Sequence, residues 1–366
     1  MSAAAPRHAA APGRAAPGPA AAPRHATTPR HATALDPPGP FACFGGWCSV
    51  AAAPAAALAA RLQLEQWHAQ FTRFSAASEL SRLNADPRAA VPVSPTLARL
   101  AAAVHEAATA TGGLVDATLL GEIEAAGYTR TLGPPLPLDR ALALAPPPTP
   151  AAPHPAARWR ALTVAHPQRG QTPQPALNTK RPAQREIGVL RGLTPGGGGT
   201  EQGGFVVVRP SGLGIDGGGL AKGLFADLLA ERLRPPFAID CCGDLRFAGP
   251  PRRVAVADPF GGPPRHAFEL TAAGVATSGI GQRSWLDARG APAHHLLDPS
   301  TGRPAFTGVV QATAIAPTAL EAEWRAKAAV LSGPGGAAAW LRPHGGLVVL
   351  DDRTHFVIEP RRRATR

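Results

Sequence analysis

Apolar positions along the chain fall into blocks, and their spacing names the elements. FACFGGWCSV at 41–50 reads as a strand. After it, Leu58, Leu62, Trp67, Phe71 and Phe74 recur near helical spacing and predict a helix with those side chains on its inner face. A second helix carries its own punctuation: Ser94 as cap, Pro95 at the first helical position, Leu97, Leu100 and Val104 inward, and Gly112 and Gly113 as the stop. Residues 146–155 are proline-rich and predict a loop; RWRALTV (158–164) and FVVVRP (205–210) predict strands. A glycine-rich turn leads into a helix over 219–233 with Leu220, Leu224, Leu228 and Leu229 inward. Short strands follow at 237–240, 253–257, 267–271, 295–298 and 311–316, then a helix over 319–332 with Leu320, Trp324 and Leu331 on one stripe, and a closing hairpin from GLVVLDD and THFVIEP. Strands mixed irregularly with a few helices predict an α+β fold rather than a doubly wound sheet.

Between these blocks the pattern lapses. Residues 1–40 are an Ala/Pro/Arg/His stretch without apolar period and are expected to be disordered, as is the Gln-, Pro- and Gly-rich segment at about 166–204, read as an insertion between two strands. One folded region over 41–359 and a basic tail at 360–366 remain. This partition changes what the charge means. The formal net charge is +12, but 1–40 and 166–204 contribute +3 each and 361–366 contributes +4, so +10 lies outside the folded body. A nucleic-acid reader gathers its basic groups on a folded face, so no specific nucleic-acid partner is expected. There is no run of 18 apolar residues and no apolar leader, so no membrane span and a cytoplasmic location are expected. Cys43, Cys48, Cys241 and Cys242 show no C-x-x-C and no zinc spacing with histidine, and read as buried free thiols.

Three constellations carry chemistry. In GIDGGGLAKGLFADLLAERL (214–233), glycines at a helix start expose N–H groups where the helix dipole favours an anion, and Lys222 adds a positive charge, an arrangement that fits a diphosphate. The chain has only three lysines, Lys180, Lys222 and Lys327, in a sequence that otherwise uses arginine, which suggests that a compact ammonium is wanted at Lys222. Gly212, Gly214 and Gly217 also spell G-x-G-x-x-G, but Asp216 stands where a pyrophosphate would approach and Pro210 interrupts the strand, so a Rossmann reading is set aside. HHLLDPSTG (294–302) offers turn chemistry at Asp298 and a histidine able to act as general base. ATSG (276–279) with Arg283 offers hydroxyls and a phosphate partner.

In their order along the chain these segments resemble the FAD:protein FMN transferase (ApbE) family, in the form found in GC-rich actinobacteria. The matching stretches are FACFGGWCSV, RFSAASELSRLN, TGGLVDATLLGEIEAAGY, GIDGGGLAKGLFADLLAERL, IDCCGDLRFAG, GVATSGIGQRSW, HHLLDPSTGRPA and ATAIAPTALEAEWRAKAAVLSG. The resemblance implies a T-fold-like α+β architecture of mixed antiparallel sheets with packed helices, with 41–359 as the catalytic region. It implies an enzyme that binds FAD, with Mg²⁺, and moves FMN onto a Ser or Thr hydroxyl of an acceptor flavoprotein, releasing AMP.

By the same resemblance Ser78, Glu79 and Asn84 belong to a flavin-side segment, Asp116 and Thr118 to the adenine and ribose side, and Gly219, Lys222, Ser278 and Arg283 to the phosphates. His295 is the implied base, with Lys222 and Asp298 as catalytic companions; the Ala221 carbonyl and Glu323 are the implied metal ligands. The family's metal site has an Asp and a Thr four apart on its last helix, where this chain has Glu323 and Lys327. Two readings of that change stand open: a favoured i,i+4 helix pair, or an ammonium that partly replaces the cation. Cys242 stands at a turn where the family has glycine, which would strain it. Alternatives to transfer are an FAD-binding or FAD-hydrolysing protein that modifies no acceptor, and a scaffold acting through its basic tails.

Overall fold

The structure is a computed structural model that describes residues 39–166 and 204–361. The expected disorder of 1–40, the insertion at about 166–204 and the basic tail lie, but for their margins, outside the described residues. The main sheet has eight antiparallel strands in the order β1-β2-β6-β7-β8-β13-β14-β15. These are β1 (Phe41–Cys43), β2 (Gly46–Ala51), β6 (Phe237–Cys241), β7 (Asp244–Val256), β8 (His266–Gly279), β13 (Val309–Ala316), β14 (Gly346–Leu350) and β15 (His355–Ile358). A second antiparallel sheet orders β3 (Ala90–Val93), β5 (Phe205–Val208) and β4 (Thr163–Ala165). Two small ribbons, β9 (Ser284–Leu286) with β10 (Pro292–His294) and β11 (Leu297–Asp298) with β12 (Arg303–Pro304), complete the strands. The fold is α+β with antiparallel sheets and packed helices, as expected.

The first strand block is a hairpin rather than one strand. Phe44 and Gly45 both take positive φ (52° and 73°), the requirement of the tight two-residue turn between β1 and β2. The turn between β6 and β7 repeats the device with Cys242 (φ 57°) and Gly243 (φ 90°), so Cys242 does sit where backbone sterics favour glycine. The segment 158–164 is likewise split, into a 3₁₀ turn at Arg158–Ala161 and the start of β4. Strands β7 and β8 are far longer than the fragments 253–257 and 267–271 suggest, because the Pro250-Pro251 pair, which cannot donate to a ladder, falls in the β7–β8 register break between Ala248 and Arg252.

Helix α1 (Pro54–Phe71) buries Ala57, Ala60, Leu64, Trp67 and Phe71, a strict 3-4-3-4 spacing. The face expected from Leu58 and Leu62 is wrong: both are more than half exposed, and Phe74 lies beyond the helix end. Leu62 and Trp67 are five apart, which puts them out of phase on a helix of 3.6 residues per turn; the alanines, small enough for close approach, hold the true seam. Helix α3 (Pro95–Ala110) follows its punctuation, with the Ser94 hydroxyl accepting from Leu97 N–H. Short helices α2 (Glu79–Ala85), α4 (Leu120–Ala125) and α5 (Leu138–Leu144) span no more than two turns, too short to show a helical period.

The site is built on α6 (Ala221–Ala230) and α7 (Ala319–Leu331), which pack on each other and on the main sheet; α8 (Gly333–Leu341) follows directly. Of the expected stripe on α7, Trp324 and Leu331 are buried and Leu320 is only half-buried, while Ala319, Ala322, Glu323, Ala326 and Lys327 also face inward. Gly274 on β8 lets α7 begin against the sheet: a Cβ there would lie 2.2 Å from the Thr318 carbonyl carbon and oxygen. Because that obstacle is backbone, Gly274→Ala should destabilise the fold by about 3 kcal/mol, the upper end of overpacking costs. Urea unfolding should show it as a lower midpoint at unchanged slope; an unshifted midpoint would refute the close approach. Among the described residues no helix is long and apolar enough to cross a membrane.

Candidate active site

Helices α6 and α7 are cross-braced by two carboxylates, and this bracing gathers the charged groups. Asp227 on α6 accepts from the N–H groups of Ala319 and Leu320 at 2.9 Å each, capping α7 from outside its own chain segment. Glu323 on α7 returns the bond, its Oε2 accepting from Gly223 N–H at 2.9 Å. Gly223 has to be glycine for this: a Cβ would sit 2.8 Å from both the Ala319 carbonyl oxygen and Glu323 Oε2. The anion expected at this helix start is therefore the protein's own Glu323, with the dipole of α6 in its favour.

Glu323 is fully buried and holds two ammonium groups. Its Oε1 accepts from Lys327 Nζ at 2.9 Å and stands 3.6 Å from Lys222 Nζ. Lys222 in turn donates to Asp244 Oδ2 in a very short contact. Burial works against the charge of Lys222, but Asp244 and then Glu323 outweigh it and raise its pKa above the ordinary value. Burial also works against Glu323, and there Lys327 and Lys222 prevail and lower the pKa. Asp244 is pushed up to about 6 by burial, against the pull of Lys222. Arg283 completes the group: it acts on the field at Lys222, and its Nη2 donates to the Phe44 carbonyl at 3.1 Å. Within this cluster three cations face two carboxylates, an excess of one positive charge; Asp116 and Asp216 line the adjoining cleft, Asp216 with Arg73 as its own partner.

The implied divalent ion does not fit these residues. A hard cation wants several free oxygens, and both oxygens of Glu323 are taken, one by an ammonium and one by an amide. Lys327 stands where the second side-chain ligand would be, and a protonated lysine has no lone pair to give. Among the described residues no group of three or more His, Cys, Asp or Glu is placed to hold a metal.

His295 lies beside this cluster and lines a cleft of about 60 Å³ together with Asp116, Asp216, Gly219, Leu297 and Lys327. Its Nδ1 is buried without a hydrogen-bond partner. Burial first, then the charges of Arg283, His294, Lys327 and Lys222, hold its pKa well below the ordinary value, so the ring is neutral. His294 is a different kind of residue. It is buried against Phe306 and pushed down to about 3, its Nδ1 accepting from Leu296 N–H at 3.3 Å. Asp298 is not brought to His295. Its carboxylate accepts from Ser300 N and Oγ, Thr301 Oγ1 and Ala152 N, which organises the 298–302 turn and ties it to the proline-rich loop.

Of the remaining expected ligands, Ser78, Glu79 and Asn84 are spent on the scaffold. Ser78 caps α2. Glu79 accepts from Ser94 N at 2.7 Å, Ser94 Oγ at 2.8 Å and Gln70, which locks α1, α2 and α3 together. Asn84 makes a two-way pair with the backbone of Ile215 at 2.8 and 2.9 Å and fixes the loop before α6. Asp116 lines the cleft, where burial raises its pKa, and its Oδ1 accepts from Thr118 N and Oγ1. Ser278 is buried on β8, in register with Ala312. Asp244 and Asp216 were not foreseen. Asp244 follows the conspicuous CCG turn, and the signal that could have found it is Lys222 itself, since a buried lysine needs a carboxylate. Asp216 pairs with Arg73 at 3.4 Å.

Comparison with known proteins gives one consistent picture. The model of the ApbE family matches residues 44–350. The chain is 30% identical over 165 residues to an FAD:protein FMN transferase of Treponema pallidum, an alignment covering 40% of this chain and 45% of that protein. It is 37% identical over 81 residues to the FAD:protein FMN transferase of Salmonella typhimurium, covering 22% and 23%. The chain thus aligns with less than half the length of these curated relatives. Among solved structures, the ApbE protein of Thermotoga maritima superposes with a TM-score of 0.62 at 22% identity, over 87% of this chain and 96% of that one. The flavin transferase ApbE of Vibrio cholerae superposes with a TM-score of 0.59 at 17% identity, over the same shares, so the fold is shared.

Proposed function

The chain belongs to the ApbE family, and from that premise we propose that it is an FAD:protein FMN transferase, cleaving FAD and joining FMN by a phosphoester to a Ser or Thr hydroxyl of an acceptor flavoprotein. The observation that carries this reading is the cluster of buried Lys327 with the partly buried Lys222 and Arg283, balanced only in part by Asp244 and Glu323, beside the neutral His295 at a cleft. A pyrophosphate supplies the missing negative charge. At about 60 Å³ the cleft has room for a phosphate group but is several times smaller than ligand pockets of about 300–1,000 Å³. FAD would therefore place its phosphates at the cleft and spread its two ends across the mouth, or part the walls.

The chemistry then follows from positions. The acceptor hydroxyl attacks the flavin-side phosphorus, His295 takes the hydroxyl proton, the bond to the bridging oxygen breaks, and AMP leaves, its new oxyanion met by the cations. Lys327 and Lys222 perform the charge neutralisation that a divalent ion would otherwise give, so this reading needs no resident Mg²⁺. FAD binding also activates the base. The cations that depress His295 in the free site become neutralised by the pyrophosphate, and the ring gains proton affinity when a proton has to be taken.

The test is to incubate the protein with FAD and a candidate acceptor domain. The expected product is an acceptor heavier by one FMN, with one AMP released per acceptor modified. Free FMN and AMP with an unmodified acceptor, across a panel of acceptor domains, would convert the assignment to FAD hydrolysis.

A further inference from the structure

None of the chemistry above uses the four cysteines, yet the fold gathers them. Cys43 ends β1, Cys48 stands opposite Cys241 in the β2–β6 ladder, and Cys242 opens the next turn. The sequence reading of buried free thiols fits three of the four. All are free, and Cys43, Cys48 and Cys241 are buried, but Cys242 is partly exposed. Cys48 Sγ and Cys242 Sγ are 3.7 Å apart, and Cys242 Sγ also donates to the Cys43 carbonyl at 3.2 Å. Gly46 leaves the space for this, since a Cβ there would lie 2.9 Å from Cys242 Sγ. Cysteine is thus kept at a position whose positive φ favours glycine, against a partner sulfur that a reagent cannot reach directly.

We propose that Cys242 and Cys48 form a reversible dithiol modification site, in which Cys242 reacts with low-molecular-weight disulfides and Cys48 resolves the product into an internal disulfide. Cys242, as thiolate, attacks one sulfur of R–S–S–R. A bond forms to give Cys242–S–S–R, and RS⁻ leaves, taking up the proton that Cys242 released. Cys48 then loses its proton, attacks the Cys242 sulfur and expels a second RSH. Two protein thiols are oxidised and one reagent disulfide is reduced. The contact with Cys48, and the charges of Lys222 and Arg283 acting against burial, hold the Cys242 thiol below its ordinary pKa, which favours this thiol as the attacker.

The pair is wired to the phosphate site. Cys242 lies two residues before Asp244, the partner of Lys222. Its thiol also steadies the β1–β2 turn through the Cys43 carbonyl, and the next carbonyl in that turn, of Phe44, anchors Arg283. Disulfide formation removes the S–H donor and draws the sulfurs from 3.7 Å to about 2.05 Å. Both turns must shift, and the Arg283 anchor weakens with them. This coupling rests on the transferase reading; the thiol reaction does not.

The experiment exposes the full-length protein to excess oxidised glutathione, alkylates the remaining thiols and maps the peptides by mass spectrometry. The expected result is a Cys48–Cys242 crosslink with Cys43 and Cys241 still alkylated, and four alkylatable thiols again after dithiothreitol. Four thiols surviving the oxidant, or a crosslink between any other pair, would overturn the site. Cys242→Gly suits the turn and should keep the fold while losing the crosslink; an internal disulfide persisting in that variant would also overturn it. FAD titration of the oxidised protein should show affinity lower by about fivefold, the worth of one hydrogen bond, and equal affinity in the two states would refute the coupling. If neither state binds FAD, the transferase reading fails and the peptide map still decides the dithiol.

Discussion

His295→Ala should lower FMN transfer by about 10²–10⁴-fold, the range a positioned general base contributes, while FAD affinity changes little. The split follows from the site. On the proposed reading the phosphates would be met by Lys222, Lys327 and Arg283, none of which hydrogen-bonds to the imidazole, whereas the Nδ1 atom of His295 is buried and unpartnered beside the cleft. The pH profile adds a readout that a structural role would not move. In the free protein His295 is held well below its ordinary pKa by burial and four neighbouring charged or titratable groups. Its base form is the neutral ring, so activity should be present above the folded pKa and lost as pH falls through it. A bound pyrophosphate opposes Arg283, Lys327 and Lys222 and moves that limb upward. The acid limb of kcat, which reports the complex, should therefore lie at higher pH than that of kcat/KM, which reports the free protein. Coincident limbs, or full transfer by the alanine variant, would remove His295 from the role of base.

How much of this could be read in the sequence depended on whether the signal was local. Ser94-Pro95 fixes the start of α3, and two glycines close it, because caps and φ preferences act within a few residues. The α1 face differs from its apolar pattern because alanine weighs little in an apolar count while deciding how closely a helix can sit. Lys222 stood out by rarity, but its partner Asp244 lies 22 residues on across a hairpin, and nothing in the intervening pattern pairs them. Glu79, Asn84 and Asp298 lie in the right segments, yet their hydrogen bonds go to the scaffold: Glu79 ties three helices together, Asn84 fixes the loop at Ile215 and Asp298 holds a turn. Sequence similarity marks such positions without saying whether they touch a ligand or support a residue that does. The cysteine cluster had no local signal at all, since its members meet only when two hairpins pair.

Lysine at position 327, where the family resemblance implies a metal ligand, makes the sharpest demand. Transfer by the unaltered protein should proceed in excess EDTA, because Glu323 is already neutralised by Lys327 at 2.9 Å and Lys222 at 3.6 Å. Lys327→Met keeps the packing and removes the ammonium. It should lower transfer by about 10²–10³-fold, the cost of removing one preorganised charge-stabilising donor. Loss of a buried ion-pair partner also costs stability, about 3–5 kcal/mol when the remaining charge is uncompensated; here Lys222 and Gly223 N–H still hold Glu323, so the fold should survive at a lower melting temperature. The double variant Glu323→Gln/Lys327→Met separates the two effects. With no unpaired carboxylate it should regain stability, and its net charge equals that of the unaltered cluster, so transfer that stays poor assigns the loss to the missing Lys327 ammonium at the cleft wall. Lys327→Thr supplies an oxygen beside Glu323 and should turn the enzyme into one whose transfer rises with added Mg²⁺. Should EDTA abolish transfer by the unaltered protein and Mg²⁺ restore it, with one ion bound per chain, a divalent cation is the neutralising group after all and Lys327 is only the ion-pair partner of Glu323.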